Sequence, residues 1–369
     1  MAAIDSIPMN GQVELVVGSP AFGHSAITVL AKRTYKIIPG VAAERLDVDR
    51  PLRMIDAYYD DGEPDTSTVQ FESEFAPSRA LTDVVVVGTA YTPNSSPMRQ
   101  MNVSVAIGGR VKVLRVTGDR VCQYVPRGNP QFTDPRPFVS MPLRYERAYG
   151  GEDELSDSQI PFRYPRNDMG VGVALGGKRE VIDGLRLPNI EDPADQLTPE
   201  RVIIGDPKRW HLQPLPQGLG WRQRTWFPRC ALLGSCPPFL DVGTVTIEER
   251  MGLLPKNYVA LAKQFRLAPN HALFANGASF GMSFEHLAND ALVELIGLTP
   301  NGKLAFRLPG DSPKIALDVG SDPQPLDSKL FVVSIRPDDM ELDMIWAGIY
   351  MVGEFAAWSK LKNLQAEVT

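Results

Sequence analysis

The sequence predicts a mainly β protein, built of antiparallel sheets in a sandwich-like arrangement with a long irregular central region and one or two short helices. Three observations favour this class. Apolar and polar residues alternate with a period of two near both ends of the chain, as half-buried strands require. This periodicity disappears in the middle of the chain. The 369 residues also include 31 glycines and 32 prolines, which interrupt regular elements and form turns.

The N-terminal region, residues 1–122, begins the predicted sheets. Apolar side chains at alternate positions of 13–17 define one face of a first strand. Residues 26–37 alternate in the same way, which predicts a strand with one buried face and one solvated face. The solvated face is expected to carry Thr28, Lys32, Thr34 and Lys36. Residues 84–87 are four consecutive valines, which is typical of a strand buried on both faces.

Three pairs of apolar segments predict β-hairpins, because a short turn-forming sequence separates the members of each pair. The pairs are 103–107 with 110–116, 291–298 with 304–308, and 330–335 with 340–346. The first turn is Gly108-Gly109, and glycines readily adopt the positive φ of a two-residue hairpin turn. In the C-terminal region, residues 239–369, we also expect a helix near 257–265 and an amphipathic helix over 352–364.

The central region, residues 123–238, is predicted to be irregular but ordered. Proline and glycine recur there every few residues without helical or strand periodicity. The region carries Trp210, Trp221 and Trp226, and disordered segments seldom hold so many aromatic residues. We therefore expect ordered loops that pack on the sheets. The sequence leaves open whether the three regions form one compact unit.

Charge and cysteine content exclude several classes of protein. The 38 Lys and Arg residues against 44 Asp and Glu residues give a formal charge of -6, which argues against nucleic acid and anionic membranes as partners. The three cysteines, Cys122, Cys230 and Cys236, are too few for a disulfide framework and favour a reducing compartment. The sequence shows no secretory leader and no apolar stretch long enough to span a membrane. We therefore expect a soluble, cytoplasmic protein.

The evidence for catalysis is weak, and we expect a protein that is not an enzyme and needs no cofactor or metal. Residues 277–281 match the Gly-x-Ser-x-Gly nucleophile elbow around Ser279, but the following residues favour a short strand instead of the required helix. Glu72 and Glu74 could act in acid/base chemistry, although alternate carboxylates on a strand usually form one solvated face. The glycines of 170–177 favour tight turns over a phosphate loop. An ester or carbohydrate hydrolase, with its site in a cleft between the β halves, is the alternative.

The densest cluster of charged and aromatic side chains lies at residues 141–151. Arg144, Glu146 and Arg147 can form charge-assisted hydrogen bonds, and Tyr145 can bury its ring while it presents a hydroxyl group. Arginine, tyrosine and tryptophan are also enriched in interface hot spots. Two interpretations remain open: a surface that binds a partner, or an internal ion-pair network that holds the proline-rich loops together.

Several short motifs together resemble one bacterial family. In chain order they are 31–35 (AKRTY), 72–77 (ESEFAP), 82–91 (TDVVVVGTAY), 117–120 (TGDR), 141–151 (MPLRYERAYGG), 187–193 (LPNIEDP), 226–229 (WFPR) and 267–269 (LAP). Over nearly the full chain, their order is similar to that in the family catalogued as domain of unknown function 2169, whose members are encoded beside type VI secretion effectors.

The resemblance implies a non-catalytic adaptor or chaperone that binds a secreted effector and promotes its loading onto a VgrG-type spike. The expected partners are the effector and, in addition, the spike protein. A structural component associated with the spike is a further alternative. We predict the partner contact at ten residues of the central region: Arg144, Tyr145, Glu146, Arg147, Asn189, Glu191, Trp210, Trp221, Trp226 and Arg229.

Overall fold

The computed structural model confirms a mainly β architecture with mostly antiparallel sheets. It describes residues 13–21, 24–76, 78–153, 161–176, 182–233, 272–319, 323–353 and 365–369. In these ranges the helical residues form short 3₁₀ turns only. The helix expected near 257–265 lies outside the described residues, as does all of the expected terminal helix except its first two residues, which belong to a strand. No helix of the described residues is long and apolar enough to cross a membrane.

Most of the described strands are short, and the longest belong to one sheet. In chain order the strands of the first half are β1 (Val13–Ala21), β2 (His24–Lys36), β3 (Glu44–Arg45), β4 (Ala57–Tyr58), β5 (Val69–Phe71), β6 (Thr82–Val86), β7 (Thr89–Tyr91), β8 (Gln100–Ile107), β9 (Arg110–Thr117), β10 (Cys122–Gln123), β11 (Gln131–Phe132), β12 (Ser140–Pro142), β13 (Tyr149–Gly150), β14 (Glu152–Asp153), β15 (Phe162–Arg163), β16 (Val171–Gly172) and β17 (Ile190–Glu191). The strands that follow are β18 (Ser283–Phe284), β19 (Leu292–Ile296), β20 (Lys303–Arg307), β21 (Ile315–Asp318), β22 (Gln324–Leu326), β23 (Ser328–Arg336), β24 (Glu341–Gly353) and β25 (Gln365–Val368). The 3₁₀ turns are Pro93–Ser95, Tyr145–Arg147, Pro199–Arg201, Pro207–Leu212, Cys230–Leu233 and Ala272–Ala275.

The largest sheet has seven strands and joins the two ends of the chain. Its order is β1-β2-β24-β23-β6-β18, with β3 paired to the end of β2. Neighbouring strands are antiparallel except β6 and β23, which run parallel with Val84 opposite Val333. The valines of β6 are buried, as predicted for a central strand. The sheet therefore interleaves strands from residues 1–122 with strands from residues 239–369.

A five-stranded sheet, in the order β17-β9-β8-β19-β20, packs on the same core. Alternate residues of β8, Val103, Val105 and Ile107, are buried in this core together with residues of β2 and β23. The three predicted hairpins are confirmed as β8–β9, β19–β20 and β23–β24. Gly108 and Gly109 have φ values of +57° and +76°, the positive values that the two-residue turn requires. One core shared by two sheets is the sandwich-like arrangement expected.

The prediction of a solvated face on β2 is wrong for most of the strand. Thr28, Lys32 and Thr34 are buried, with exposed fractions of 0%, 2% and 0%. The reason is that polar groups of other segments cover this face and satisfy it. Lys32 Nζ lies 2.7 Å from Glu74 Oε1 and 3.5 Å from Asp343 Oδ2, and the Thr34 amide donates to Asp49 Oδ1 at 2.7 Å. The alternation of apolar and polar residues identifies the two faces of a strand, but it cannot show which faces another part of the chain covers.

Glu72 and Glu74 do not form the solvated face expected of them. Glu74 is partly buried and pairs with Lys32, whereas Glu72 is buried and pairs with Arg229 Nη2 at 2.8 Å and Arg224 Nε at 2.7 Å. Strand β5 ends at Phe71, so the alternation rule does not apply to the segment that follows. We call Glu72 and Glu74 the carboxylate clasp, because together they tie the seven-stranded sheet to the central region.

The ionised form of Glu72 is stabilised by its partners. Burial pushes the pKa of this carboxyl group up, but the neighbouring guanidinium groups of Arg229 and Arg224 outweigh burial, so the pKa lies below its usual value. A carboxylate with a lowered pKa stabilises the fold above the pKa of the unfolded chain, about 4.3. This contribution is lost as the pH falls through the lower pKa of the folded chain.

Replacement of Glu72 by Gln should therefore destabilise the protein strongly at pH 7. Removal of one partner of a buried ion pair leaves an uncompensated charge and costs about 3–5 kcal/mol. The free energy of unfolding, measured in urea at pH 7 and again at pH 4, should show the large loss at pH 7 and a smaller one at pH 4.

Glu294→Gln is the matched control, because Glu294 pairs with Lys303 at 2.9 Å where both side chains are well exposed. Such a pair contributes at most about 1 kcal/mol. Equal losses in Glu72→Gln and Glu294→Gln would contradict the role assigned to the clasp.

Candidate functional site

Three segments that are distant in sequence meet at one cleft. Residues 117–120 follow β9, residues 141–151 contain β12 and β13, and residues 187–191 lead into β17. Strand β17 pairs with the end of β9, with Ile190 opposite Val116, and Ala148 forms a parallel bridge with Ile190. The backbone of the second segment is thereby held beside the other two. Each of the three segments is one of the family-like motifs of the sequence.

The cleft has a volume of about 670 Å³, and most of the residues that line it are polar or charged. We call it the arginine cleft and define it by its polar lining residues: Arg120, Arg136, Arg144, Arg147, Arg186, Asp119, Asp134, Glu146, Asn189 and Thr133. Its described lining thus contains five arginines and three carboxylates. Since the whole chain carries a formal charge of -6, the cleft is a locally positive surface on an acidic protein.

Asn189 holds the cleft together. Its side-chain amide donates to Thr117 O at 2.9 Å and to Asp119 Oδ1 at 3.0 Å, and its carbonyl oxygen accepts from Arg147 Nη1 at 3.2 Å. Its backbone amide also donates to Arg147 O at 2.8 Å. One buried side chain therefore fixes the positions of an acidic and a basic residue of the lining. This is an orienting role that the sequence did not indicate.

Every carboxylate of the cleft lining has a partner within the protein. Glu146 accepts from the Thr68 amide at 2.7 Å and from its hydroxyl at 2.6 Å. Asp134 pairs with Arg99 at 3.0 Å. Asp119 accepts from Asn189 and lies 3.5 Å from Arg147 Nη1. The acidic side chains are thus engaged before any ligand arrives.

The arginines of the lining are less completely paired. Arg120 forms a 2.6 Å ion pair with Glu191, whose pKa is raised by burial although the arginine opposes this effect. Arg136, Arg144 and Arg186 form no ion pair with any residue that the structure describes. The Arg144 guanidinium lies 4.3 Å above the Tyr59 ring, and its Nε is buried without an acceptor among the described atoms.

Five of the ten predicted contact residues lie in the interior and do not line the arginine cleft. Tyr145 packs edge-on against Trp226 at 5.1 Å between ring centroids, and Trp210 packs against Phe227 at 5.5 Å. The exposed fraction of each of the five interior candidates is 4% or less. The five are Tyr145, Trp210, Trp221, Trp226 and Arg229. In this structure their side chains are packed inside the protein, so any contact that they make with a partner would need a rearrangement of this region.

Of the other five candidates, Arg144, Glu146, Arg147 and Asn189 line the arginine cleft, and Glu191 lies buried behind it. Sequence reasoning missed Arg136 and Arg186, which complete the lining. Arg136 stands between two prolines, in a segment without periodicity. No local pattern indicates that its side chain meets the others.

The serine of the elbow-like motif and the histidine that follows it lie in different environments. Ser279 is buried, and its hydroxyl group makes no hydrogen bond with a described partner, while His286 is exposed. The elbow-like segment leads into the short strand β18, as the sequence predicted.

The described residues contain no group of three His, Cys, Asp or Glu side chains placed to hold a metal ion. What the cleft can do chemically is bind anions, since arginine keeps its proton at physiological pH.

The glycine-rich segment 170–177 serves close packing where it is described. Its strand β16 lies parallel to β13. A Cβ atom at Gly170 would lie 2.6 Å from Ala148 O, which is closer than real Cβ contacts. Glycine is therefore required for two backbone segments to approach at the edge of the cleft.

Replacement of Asn189 by Asp tests the orienting role of this side chain. The new carboxylate would face Asp119 Oδ1 and Thr117 O, both of which now accept from Asn189. We expect a loss of about 1–3 kcal/mol in the free energy of unfolding at pH 7. The mutual repulsion raises the pKa of the new group, so the loss should shrink as the pH falls towards 4.

The control for this variant is Asn301→Asp at an exposed turn position, measured by thermal unfolding at the same pH values. Its melting temperature should stay close to that of the wild type throughout. A pH-independent loss in Asn189→Asp would contradict the charge-repulsion argument.

Comparison with known proteins identifies the family. No curated protein and no solved structure matches the chain. A family model described as "Uncharacterized protein conserved in bacteria (DUF2169)" matches residues 23–347. The match includes the two large sheets from β2 to most of β24 and the entire arginine cleft. The chain therefore belongs to the bacterial protein family DUF2169.

Proposed function

We propose that the protein is a non-catalytic adaptor that binds a secreted effector of a type VI secretion system and promotes its loading onto a VgrG-type spike. The observation that carries this proposal is the convergence of three family-like segments on one open, polar cleft. The association with secretion effectors comes from the resemblance of the sequence motifs, and the cleft supplies the surface for the contact.

A surface that binds a partner gains affinity when its side chains are ordered before binding, because less conformational entropy is lost in the complex. Several side chains that line the arginine cleft meet this requirement. Asn189 orients Arg147 and Asp119, and two hydrogen bonds from Thr68 fix Glu146. Arginine is also among the residue types that dominate interface energetics.

An adaptor of this kind acts on the effector before export, so we place the protein in the cytoplasm. Cys122 is a buried free thiol. Burial raises the pKa of the Cys122 thiol to about 11, so this group is not a reactive thiolate at neutral pH. Both properties are compatible with a reducing compartment.

Affinity capture from the native bacterium tests the proposal. The chain would carry a C-terminal tag on a flexible linker, since the backbone of Thr369 pairs with Lys314. Mass spectrometry of proteins that co-elute at moderate salt should find a toxin-like effector in near-stoichiometric amount, with or without the spike protein. Elution of the protein alone, while the secretion genes are expressed, would contradict the adaptor role.

The double variant Arg144→Gln/Arg147→Gln should capture markedly less effector with only a small decrease in melting temperature, because it removes the contacts of these side chains with Tyr59 and Asn189. Both side chains line the cleft, and the only ion pair that either forms with a described residue is the long contact between Arg147 and Asp119. Arg209→Gln is the matched control, because Arg209 is exposed and lies outside the cleft. A parallel loss of capture and stability would favour a purely structural role.

A further inference from the structure

The charges that line the arginine cleft are unequally satisfied. All three carboxylates have a hydrogen-bond or ion-pair partner in the chain. Of the five arginines, only Arg120 and Arg147 contact a carboxylate among the described residues. The free chain therefore presents Arg136, Arg144 and Arg186 as guanidinium groups without a counter-charge in the described part of the molecule.

Burial makes this imbalance costly in at least one place. Arg144 Nε is shielded from solvent and finds no acceptor among the described atoms. A buried donor without an acceptor loses its hydrogen bond to water without replacement. The Nε of Arg120 is in the same condition, so two of the five arginines that line the cleft carry a buried donor without a described acceptor.

The geometry of the guanidinium group favours a planar oxyanion. Arginine presents a fixed fork of N–H donors that matches the two oxygens of a carboxylate. Three such forks in a cleft of about 670 Å³ exceed what one small anion can engage. The space suits a short peptide segment that carries several acidic side chains.

The remaining charges argue against a polyphosphate or nucleic acid as the occupant. Asp119, Asp134 and Glu146 line the same cleft, and the whole chain carries a formal charge of -6. Nucleic-acid binding depends on a dense positive surface that releases many counterions. Separate arginines interspersed with acids instead complement separate carboxylates along a chain.

We infer that the arginine cleft recognises a carboxylate-rich peptide segment of a partner protein, whose Asp or Glu side chains pair with Arg136, Arg144 and Arg186. As the site of effector contact, this inference rests on the proposed adaptor function. The pairing chemistry itself can be tested without the effector.

The test is fluorescence anisotropy with the full-length protein and a labelled peptide of alternating Glu and Gly residues. A peptide with Gln at each Glu position is the neutral control. We expect saturable binding of the Glu peptide that weakens as the salt concentration rises, and no saturable binding of the Gln peptide. Equal binding of the two peptides, or binding of neither, would overturn the inference.

Two variants locate the binding. Arg136→Glu/Arg186→Glu changes two exposed residues of the cleft. The affinity for the Glu peptide should fall by about tenfold or more, because the loss of one charge-assisted hydrogen bond alone has an effect of that size. Arg209→Glu changes an exposed arginine outside the cleft and should bind as the wild type does. Both variants should keep the wild-type melting temperature. Unchanged binding in the double variant would exclude the cleft as the site.

Competition distinguishes the class of anion. Inorganic phosphate and a short single-stranded oligonucleotide, added at equal charge concentration, should displace the Glu peptide less effectively than unlabelled Glu peptide does. Stronger displacement by either would overturn the assignment to carboxylates.

The affinity capture separates this inference from the adaptor role. Capture of an effector that is unaffected by Arg136→Glu/Arg186→Glu would overturn the inference and leave the adaptor role standing. Specific binding of the Glu peptide without capture of any effector would support the inference and contradict the adaptor role.

Discussion

The pairing of Glu72 and Glu74 with cations of two different regions of the chain is the constraint on which the rest of the structure depends. Glu74 binds Lys32 on β2 of the seven-stranded sheet, and Glu72 binds Arg229 and Arg224 of the central region. A buried ion left without its partner is strongly destabilising. The sheet and the proline-rich loops can therefore be buried together only when both pairs form. The clasp explains how loops with little secondary structure acquire fixed positions.

The central region adds a core of its own to this attachment. Tyr149, Tyr164, Trp210 and Phe227 pack together in a cluster separate from the core shared by the two large sheets. Edge-on contacts between such rings stabilise the fold beyond the effect of the apolar area that they bury, and they favour a single arrangement of the rings. Tyr149 is also part of β13, beside the residues that line the arginine cleft. The aromatic core thus supports the cleft from behind, and the aromatic residues stabilise the site without forming its surface.

The cleft combines satisfied acids with unsatisfied bases, and this difference connects structure with function. Asp119, Asp134 and Glu146 are held by partners within the chain, whereas Arg136, Arg144 and Arg186 retain donors for a ligand. Such a surface binds by charge and geometry and needs no proton transfer. The proposed preference for acidic segments follows from this property, whereas the proposed adaptor role rests on the family-like motifs, and either can fail without the other.

The sequence by itself determined the mainly β class, the three hairpins and the buried valine strand, because period two, turn glycines and runs of β-branched residues are local signals. It also placed Arg144, Glu146 and Arg147 in the segment that lines the cleft. Only the tertiary structure decided that Lys32 and Glu72 are buried, that Glu74 pairs with Lys32, that Tyr145 and Trp226 face inward, and that Arg136 and Arg186 join the cleft. The physical reason is that burial and charge pairing depend on which distant segments cover a residue, and no local pattern of the chain records that.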